Sequence, residues 1–260
     1  MPGSTTGLLA AWASAYLQQR ASVDDVIEHV LGHKSSAVAQ STDSAERAPW
    51  DDPLPEVRLI DSGEVVTLVE LLIALRDRGV RRLYAAFPIE GDAAGIGPGP
   101  ALAPAYAAGA AVLIDALPLV LVVSAEDEDQ VEFTIFTSGS RLQYVSVTEA
   151  TVELTEAIHR STSILTDLDV GSWNPRLGSV SRKALDDVDA HTLPRDCPPR
   201  AAHLLVRAHQ LRMILLSATA DPGGGSVNTH QAAARDAALA PLRRQVARAL
   251  TAAYNSFPYP

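Results

Sequence analysis

Three short apolar runs follow one another in the middle of the chain, and their arrangement constrains the fold more than any other feature. They cover residues 111–114, 118–124 and 131–137 and are rich in the branched and aromatic residues typical of β-strands. The acidic stretch EDED at residues 126–129 separates the last two runs, which predicts a β-hairpin with a solvated tip. Because helical patterns flank these adjacent strands, we predict an α+β fold with a small mixed or antiparallel sheet.

The sequence before these runs predicts a further alternation of short elements. Short strands are expected at residues 57–60 and 65–66, and the T-x-x-E pattern of Thr67 and Glu70 predicts the start of a helix that ends near Gly79. The segment RRLYAAFPI predicts a buried strand, followed by a glycine-rich loop at residues 91–100 and a short alanine-rich helix.

Helical periodicity dominates both ends of the chain. Two helices are predicted at residues 7–19 and 23–31, and three long helices after residue 146, the last two as an antiparallel hairpin. Pro241 interrupts the final helical pattern, where we expect a kink. The predicted organisation has four parts: amino-terminal helices (1–33), a linker or surface loop (34–56), an α+β part (57–145) and a helical part packed on it (146–260).

Composition narrows the class of protein. Apolar residues make up 47% of the chain, enough for a substantial core, whereas aromatics are only 5%, so no aromatic platform for stacking bases is expected. The single cysteine, Cys197, excludes an intrachain disulfide and any multi-thiolate zinc site, which favours a cytoplasmic protein. The longest uncharged stretch, residues 93–114, contains several glycines and prolines, so no membrane span is predicted.

The charge distribution is uneven along the chain. The formal net charge is -10, yet residues 195–260 hold eight arginines against three aspartates. An acidic chain repels phosphate, so nucleic-acid binding is disfavoured. A basic surface for an anionic partner remains a hypothesis, and the alternative is that these arginines dock on the acidic remainder or face water. The candidate partner-binding residues are Arg200, Arg207, Arg243, Arg244 and Arg248.

The best candidate for a ligand site is the loop GDAAGIGPGP, because it lies between a predicted strand and a predicted helix. Amides in that position can hold an anion, and the candidate ligand-binding residues are Asp92, Gly95, Gly97 and Gly99. The spacing is G-x-G-x-G rather than the nucleotide-binding G-x-G-x-x-G, and two prolines remove amide donors. The alternative is that the glycines allow positive φ and close backbone packing.

Other arrangements that could carry chemistry are incomplete. Glu156 and His159 form a single E-x-x-H, whereas carboxylate-bridged metal sites need two copies. Cys197 follows an aspartate that disfavours its thiolate, and Ser138 and Ser140 have no base nearby in the sequence. We therefore expect no metal site and no cofactor, and the catalytic residues, if the protein is an enzyme, stay unknown.

Several segments resemble a family of proteins from actinobacteria. They are FPIEGDAAGIGPGPALAPAYAAGAAVLI, LTDLDVGSW, PPRAAHLLVRAHQLRMI and APLRRQVARALTAAYNS, and the resemblance covers roughly residues 58–255. It implies a protein of a high-GC bacterium without an assigned activity, so no catalytic residue can be transferred from it. The near absence of lysine among the basic residues agrees with that source.

Two functions of different classes follow from these observations. The first is a non-catalytic interaction or regulatory protein with a protein partner, or one that self-associates. The alternative is a binder of small anions or nucleotide-type ligands, or an enzyme, that uses the glycine-rich loop 91–100.

Overall fold

The structure is a computed structural model that describes residues 2–32, 34, 36–41, 65–127, 129–167, 193–220 and 229–257. Within these ranges the chain forms seven helices and six strands. In chain order they are α1 (Pro2–Leu17), α2 (Val23–Leu31), β1 (Ser36–Ser41), β2 (Val65–Thr67), α3 (Leu68–Asp77), β3 (Leu83–Ala86), α4 (Leu102–Ala108), β4 (Ala111–Ile114), β5 (Leu119–Glu126), β6 (Gln130–Thr137), α5 (Val147–Asp167), α6 (Pro199–Ala220) and α7 (Thr229–Tyr254).

The chain divides into two compact units. Unit 1 comprises Met1–Tyr144 together with Leu193–Cys197 and Tyr254–Pro260, and it contains all six strands. Unit 2 comprises Val145–Thr192 and Pro198–Ala253, and it contains the three long helices.

Unit 1 is built on one six-stranded sheet with the order β2-β1-β6-β5-β4-β3. Strands β1 and β6 are parallel, and every other neighbouring pair is antiparallel. The predicted α+β class with a mixed sheet and carboxy-terminal helices is confirmed. The predicted hairpin of β5 and β6 is also present, and amides at its tip hold the pKa of the Asp127 carboxyl below its usual value.

Helices cover the two faces of the sheet unequally. Helix α1 contacts β3, β4 and β5, and α3 contacts α1, β1 and β2, so these two helices form a layer on one face, and α2 packs against α1. The alternating residues Val131, Phe133 and Ile135 of β6 are buried, while their neighbours on the strand are half-buried. The other face carries the short helix α4, whose Ala105 packs with Leu113, Val120 and Val122.

Local sequence signals set several helix ends. Ser22 and Asp25 form a capping box at α2, and Thr67 and Glu70 form the predicted one at α3. Gly79 adopts φ +75° after α3, as the sequence predicts. The helix predicted at residues 7–19 begins earlier, at Pro2, and ends at Leu17, before Gln19 takes a positive φ.

The segment predicted as a linker contains a strand. Within residues 34–56, β1 occupies Ser36–Ser41 and pairs with both β2 and β6. The strand buries only Ala37 and Ala39, so its sequence carries too little hydrophobic contrast to reveal it. Residues 35 and 42–56 of that segment lie outside the described residues, and so does the strand predicted at residues 57–60.

Unit 2 is a set of three helices around an alanine- and leucine-rich core. Helix α5 buries Ala150, Leu154 and Ala157, which recur at the spacing of three and four residues that belongs to one helix face. It contacts α6, and the Ser161 hydroxyl on α5 donates to the carbonyl of Ala238 on α7 at 3.3 Å. Pro241, where the sequence predicts a kink, lies inside α7.

Candidate functional site

The glycine-rich loop lies along the segment that follows β6. The Gly97 amide donates to the Gly139 carbonyl at 2.8 Å, and the Arg141 amide donates to the Gly95 carbonyl at 2.7 Å. A bridge between Ile96 and Ser140 lies between these two bonds. The loop therefore forms a short antiparallel ladder with residues that are distant in the sequence.

The glycines permit this close approach of two backbones. A Cβ at Gly97 would lie 2.6 Å from the Gly139 carbonyl oxygen, and one at Gly95 would meet the Arg141 carbonyl oxygen. Gly95 also adopts φ +87°, and Gly99 packs against the Ser138 side chain. Close approach of two backbones thus accounts for Gly95 and Gly97 of the candidate ligand set, and the positive φ of +152° accounts for Gly99.

Several loop amides already donate within the protein. The Asp92 carboxylate accepts from the Ala94 amide at 2.8 Å, and the Asp92 amide donates to the Ile89 carbonyl. The Ile96 amide donates to the Ala93 carbonyl at 3.0 Å. Together with Gly97, these contacts engage four of the amides on which the anion-binding hypothesis depends.

A groove lies between helix α4 and the sheet of unit 1. Its volume is about 620 Å³, and its apolar lining includes Pro104, Ala107, Ala108, Val122, Val123 and Phe136. Ser124, Glu126 and Thr134 add polar atoms to the lining. We call this feature the α4 groove. The sequence analysis did not anticipate it, because α4 and the β5–β6 hairpin each look like ordinary packed elements when read separately.

Glu126 lies at the end of the α4 groove, but its side chain is mostly enclosed by unit 1 on the α1 side of the sheet. The Thr5 hydroxyl of α1 donates to Glu126 Oε1 at 2.9 Å, and Lys34 Nζ lies 3.6 Å from the same oxygen. Lys34 also donates to the Asp127 carbonyl. These contacts hold the carboxylate at the end of β5, where only 7% of its side chain is exposed.

Three of the five candidate partner-binding arginines have contacts inside unit 2. Arg248 Nε lies 3.1 Å from Glu153 Oε2, and Arg243 Nη2 lies 3.4 Å from Asp236 Oδ1. Arg207 Nη1 donates to Thr155 Oγ1 at 3.2 Å. The other two, Arg200 and Arg244, are exposed. The structure thus pairs several of these arginines with side chains of their own unit and does not gather the five into one contact.

Two protein-family models match the sequence of this chain. The model for the Rv1486c-like protein, N-terminal domain, matches residues 6–151, and the model for the Rv1486c-like protein, C-terminal domain, matches residues 148–251. The chain belongs to the Rv1486c-like protein family. The two family domains meet at the start of α5. This confirms the resemblance to actinobacterial proteins without an assigned activity. No curated protein and no solved structure matches the chain.

Cys197 in this Rv1486c-like protein is a poor nucleophile. Burial raises the pKa of its thiol to about 11, and Asp196 acts in the same direction. Asp196 in turn pairs with Arg20 at 2.7 Å. The thiolate required for attack is therefore scarce at neutral pH.

The remaining candidate groups are also separated from one another. Glu156 pairs with Arg160 at 3.7 Å on the exposed face of α5, next to the exposed His159. On α6, His203 is exposed and His209 is buried, so they lie on different sides of the helix. No group of three or more His, Cys, Asp or Glu suited to a metal ion occurs among the described residues. Within that same part of the chain, no helix has the length and apolar character needed to cross a membrane.

Proposed function

We propose that this Rv1486c-like protein is a non-catalytic interaction or regulatory module that binds a protein partner at the α4 groove. The observation that carries the proposal is the apolar groove beside a helix too short to cover the sheet face. Ala107 on its rim is exposed, and Phe136 on its floor is half-buried. An accessible apolar groove with a polar end is a common site for a partner's side chains.

Charge defines the kind of partner that fits. Residues 1–144 contain nine lysines and arginines and twenty aspartates and glutamates. Glu132 pairs across the β5–β6 hairpin with Ala125, which lines the groove, and Asp127 lies at the exposed tip of that hairpin. A partner segment with apolar side chains and flanking basic residues would match both properties, because the acidic surface attracts it before docking.

Contacts within the protein disfavour the two other candidate sites, the glycine-rich loop and the arginines of unit 2. A ligand held by the glycine-rich loop would compete with the ladder that joins Gly97 to Gly139. An anionic partner at the arginines would compete with Glu153 and Asp236. We also propose that the protein acts in the cytoplasm, with self-association as the alternative use of the groove.

In-cell photo-crosslinking with two matched variants tests the proposal. Ala107→Arg places a long cation in the α4 groove, whereas Ala103→Arg places the same side chain on an exposed part of α4 outside the lining. We expect Ala107→Arg to reduce crosslinking of the partner about tenfold, which corresponds to 1.4 kcal/mol of binding free energy. Ala103→Arg should retain the wild-type yield.

Both variants should keep the wild-type melting temperature, because each replaced side chain is exposed. Equal crosslinking of the same partners by both variants would show that the groove is not the interface. Crosslinks formed only between copies of this chain, and lost in Ala107→Arg, would assign the groove to self-association instead.

A further inference from the structure

The outer edge of β3 carries hydrogen bonds to side chains instead of to another strand. β3 is the last strand of the sheet, and the backbone groups of Arg81, Leu83 and Ala85 point away from β4. Gln18 donates to the Arg81 carbonyl at 3.5 Å. The Leu83 amide donates to Ser14 Oγ at 2.9 Å, and this oxygen lies 3.0 Å from the Leu83 carbonyl. Unpaired strand edges otherwise attract further strands.

Helix α1 supplies Ser14, and the turn directly after it supplies Gln18, because the repeat of the helix matches that of the strand. Four residues of α-helix rise about 6 Å, and two residues of strand rise about 6.6 Å. Gln18 and Ser14 therefore follow the same step as Arg81 and Leu83. The next position on this side of α1 is Ala10, which has no polar side chain to offer Ala85.

Asn255 supplies the missing contact from another part of unit 1. The Ala85 amide donates to Asn255 Oδ1 at 2.8 Å, and Asn255 Nδ2 donates to the Ala85 carbonyl at 2.9 Å. Arg82 donates to the Asn255 carbonyl. The side-chain amide thus imitates the two backbone bonds of a neighbouring strand residue.

The residues around Asn255 anchor it to unit 1. We call residues 254–257 the strap. The Tyr254 ring lies directly against α1 at Gly7, where a Cβ would be 2.5 Å from the ring carbon Cδ2. Tyr254 also stacks on Phe87 with ring centroids 5.9 Å apart, and Phe257 is buried. Asn255 and Ser256 are only half-buried, in contrast to Ser14, which is 1% exposed.

We infer that Asn255 in the strap is a releasable cap of the β3 edge, which opens while Tyr254 and Phe257 stay buried and α1 keeps the neighbouring Leu83 covered. The two parts of the cap differ in construction. Ser14 lies in the middle of a long buried helix, whereas the strap follows the end of α7 and has no helix or strand of its own beyond Tyr254. Segments with fewer regular hydrogen bonds open at lower free energy than the core. Release exposes the amide and the carbonyl of Ala85.

Residue-resolved hydrogen exchange on the full chain tests this inference. Exchange of the Ala85 amide measures the loss of its hydrogen bond to Asn255 in the strap, and exchange of the Leu83 amide measures the loss of its hydrogen bond to Ser14 of α1. After correction for intrinsic rates, we expect Ala85 to exchange at least about tenfold faster than Leu83, with little dependence on low urea concentrations. Asn255→Ala should accelerate Ala85 by a further factor of about ten and leave Leu83 within about twofold of wild type.

Gln18→Ala is the matched control, since it removes a bond on the α1 side of the same edge and should leave Ala85 exchange unchanged. If Asn255→Ala does not fold, the wild-type comparison decides alone. Equal rates for Ala85 and Leu83 with the same urea dependence would overturn the inference, because both amides would then exchange only when the whole unit unfolds.

Discussion

Replacing Gly7 with alanine should lower the free energy of unfolding by about 2 kcal/mol, although alanine is the better helix former by about 1 kcal/mol. The new methyl group would overlap the Tyr254 ring, with Cβ 2.5 Å from Cδ2. That ring is 2% exposed and packed on Phe87, so it has little room to move away. Urea unfolding of the full-length protein measures the loss.

Two further variants separate this contact from a general effect of the substitution. Gly139→Ala is the control, because no heavy atom lies within 4 Å of the added Cβ, and its stability should stay within about 0.5 kcal/mol of wild type. The double variant Gly7→Ala, Tyr254→Ala should cost less than the sum of the single changes. Full additivity, or a stabilised Gly7→Ala protein, would contradict the packing of Tyr254 against α1.

Acid should destabilise the protein partly through His209. Burial lowers the pKa of this imidazole from its ordinary value of 6.5 to about 4, and the Arg212 charge acts in the same direction. The unfolded chain then takes up a proton near pH 6.5, whereas the folded chain does so only near pH 4. Between these values the free energy of unfolding falls by about 1.4 kcal/mol per pH unit, or about 3 kcal/mol in total from this group.

Urea unfolding of wild type and His209→Leu from pH 7 to pH 4 checks this sign and size. The difference in unfolding free energy between the two proteins should shift in favour of His209→Leu by about 3 kcal/mol as the pH falls. His203→Leu, on an exposed position of the same helix, should keep the wild-type pH dependence. Parallel pH profiles for wild type and His209→Leu would show that the imidazole is not buried in its neutral form.

Elements governed by local chemistry were predictable from the sequence. The capping box of Thr67 and Glu70, the left-handed Gly79 and the apolar stripe of α5 depend on residues three or four positions apart. The β5–β6 hairpin has the same local character, since two apolar runs flank a short acidic turn.

Elements defined by distant partners were not predictable. β1 is a strand because it lies between β2 and β6, yet it buries only two alanines and reads as part of a polar segment. Its pairing with β6 is parallel and joins residues far apart in the chain. Hydrophobic periodicity does not contain that information.

In the candidate site, too, the features set by neighbouring residues were predictable and those set by distant partners were not. The sequence located the glycine-rich loop between β3 and α4 and offered two explanations for its glycines. Only the structure reveals Gly139 and Arg141 as the backbone partners of Gly97 and Gly95. Asn255 gave no signal in the sequence, because its role depends on the free edge of β3 and on an alanine at position 10.

The central claim is that loop 91–100 is a scaffold and that binding occurs elsewhere. A titration of the full-length protein with inorganic phosphate, ADP and an acyl-CoA ester, followed by the amide resonances of Gly95, Gly97 and Gly99, tests it most directly. The account predicts no saturable change at these amides and no rise in melting temperature, because Gly97 already donates to Gly139. A saturable change at all three amides, together with a higher melting temperature, would contradict it and return the loop to the role of a ligand site.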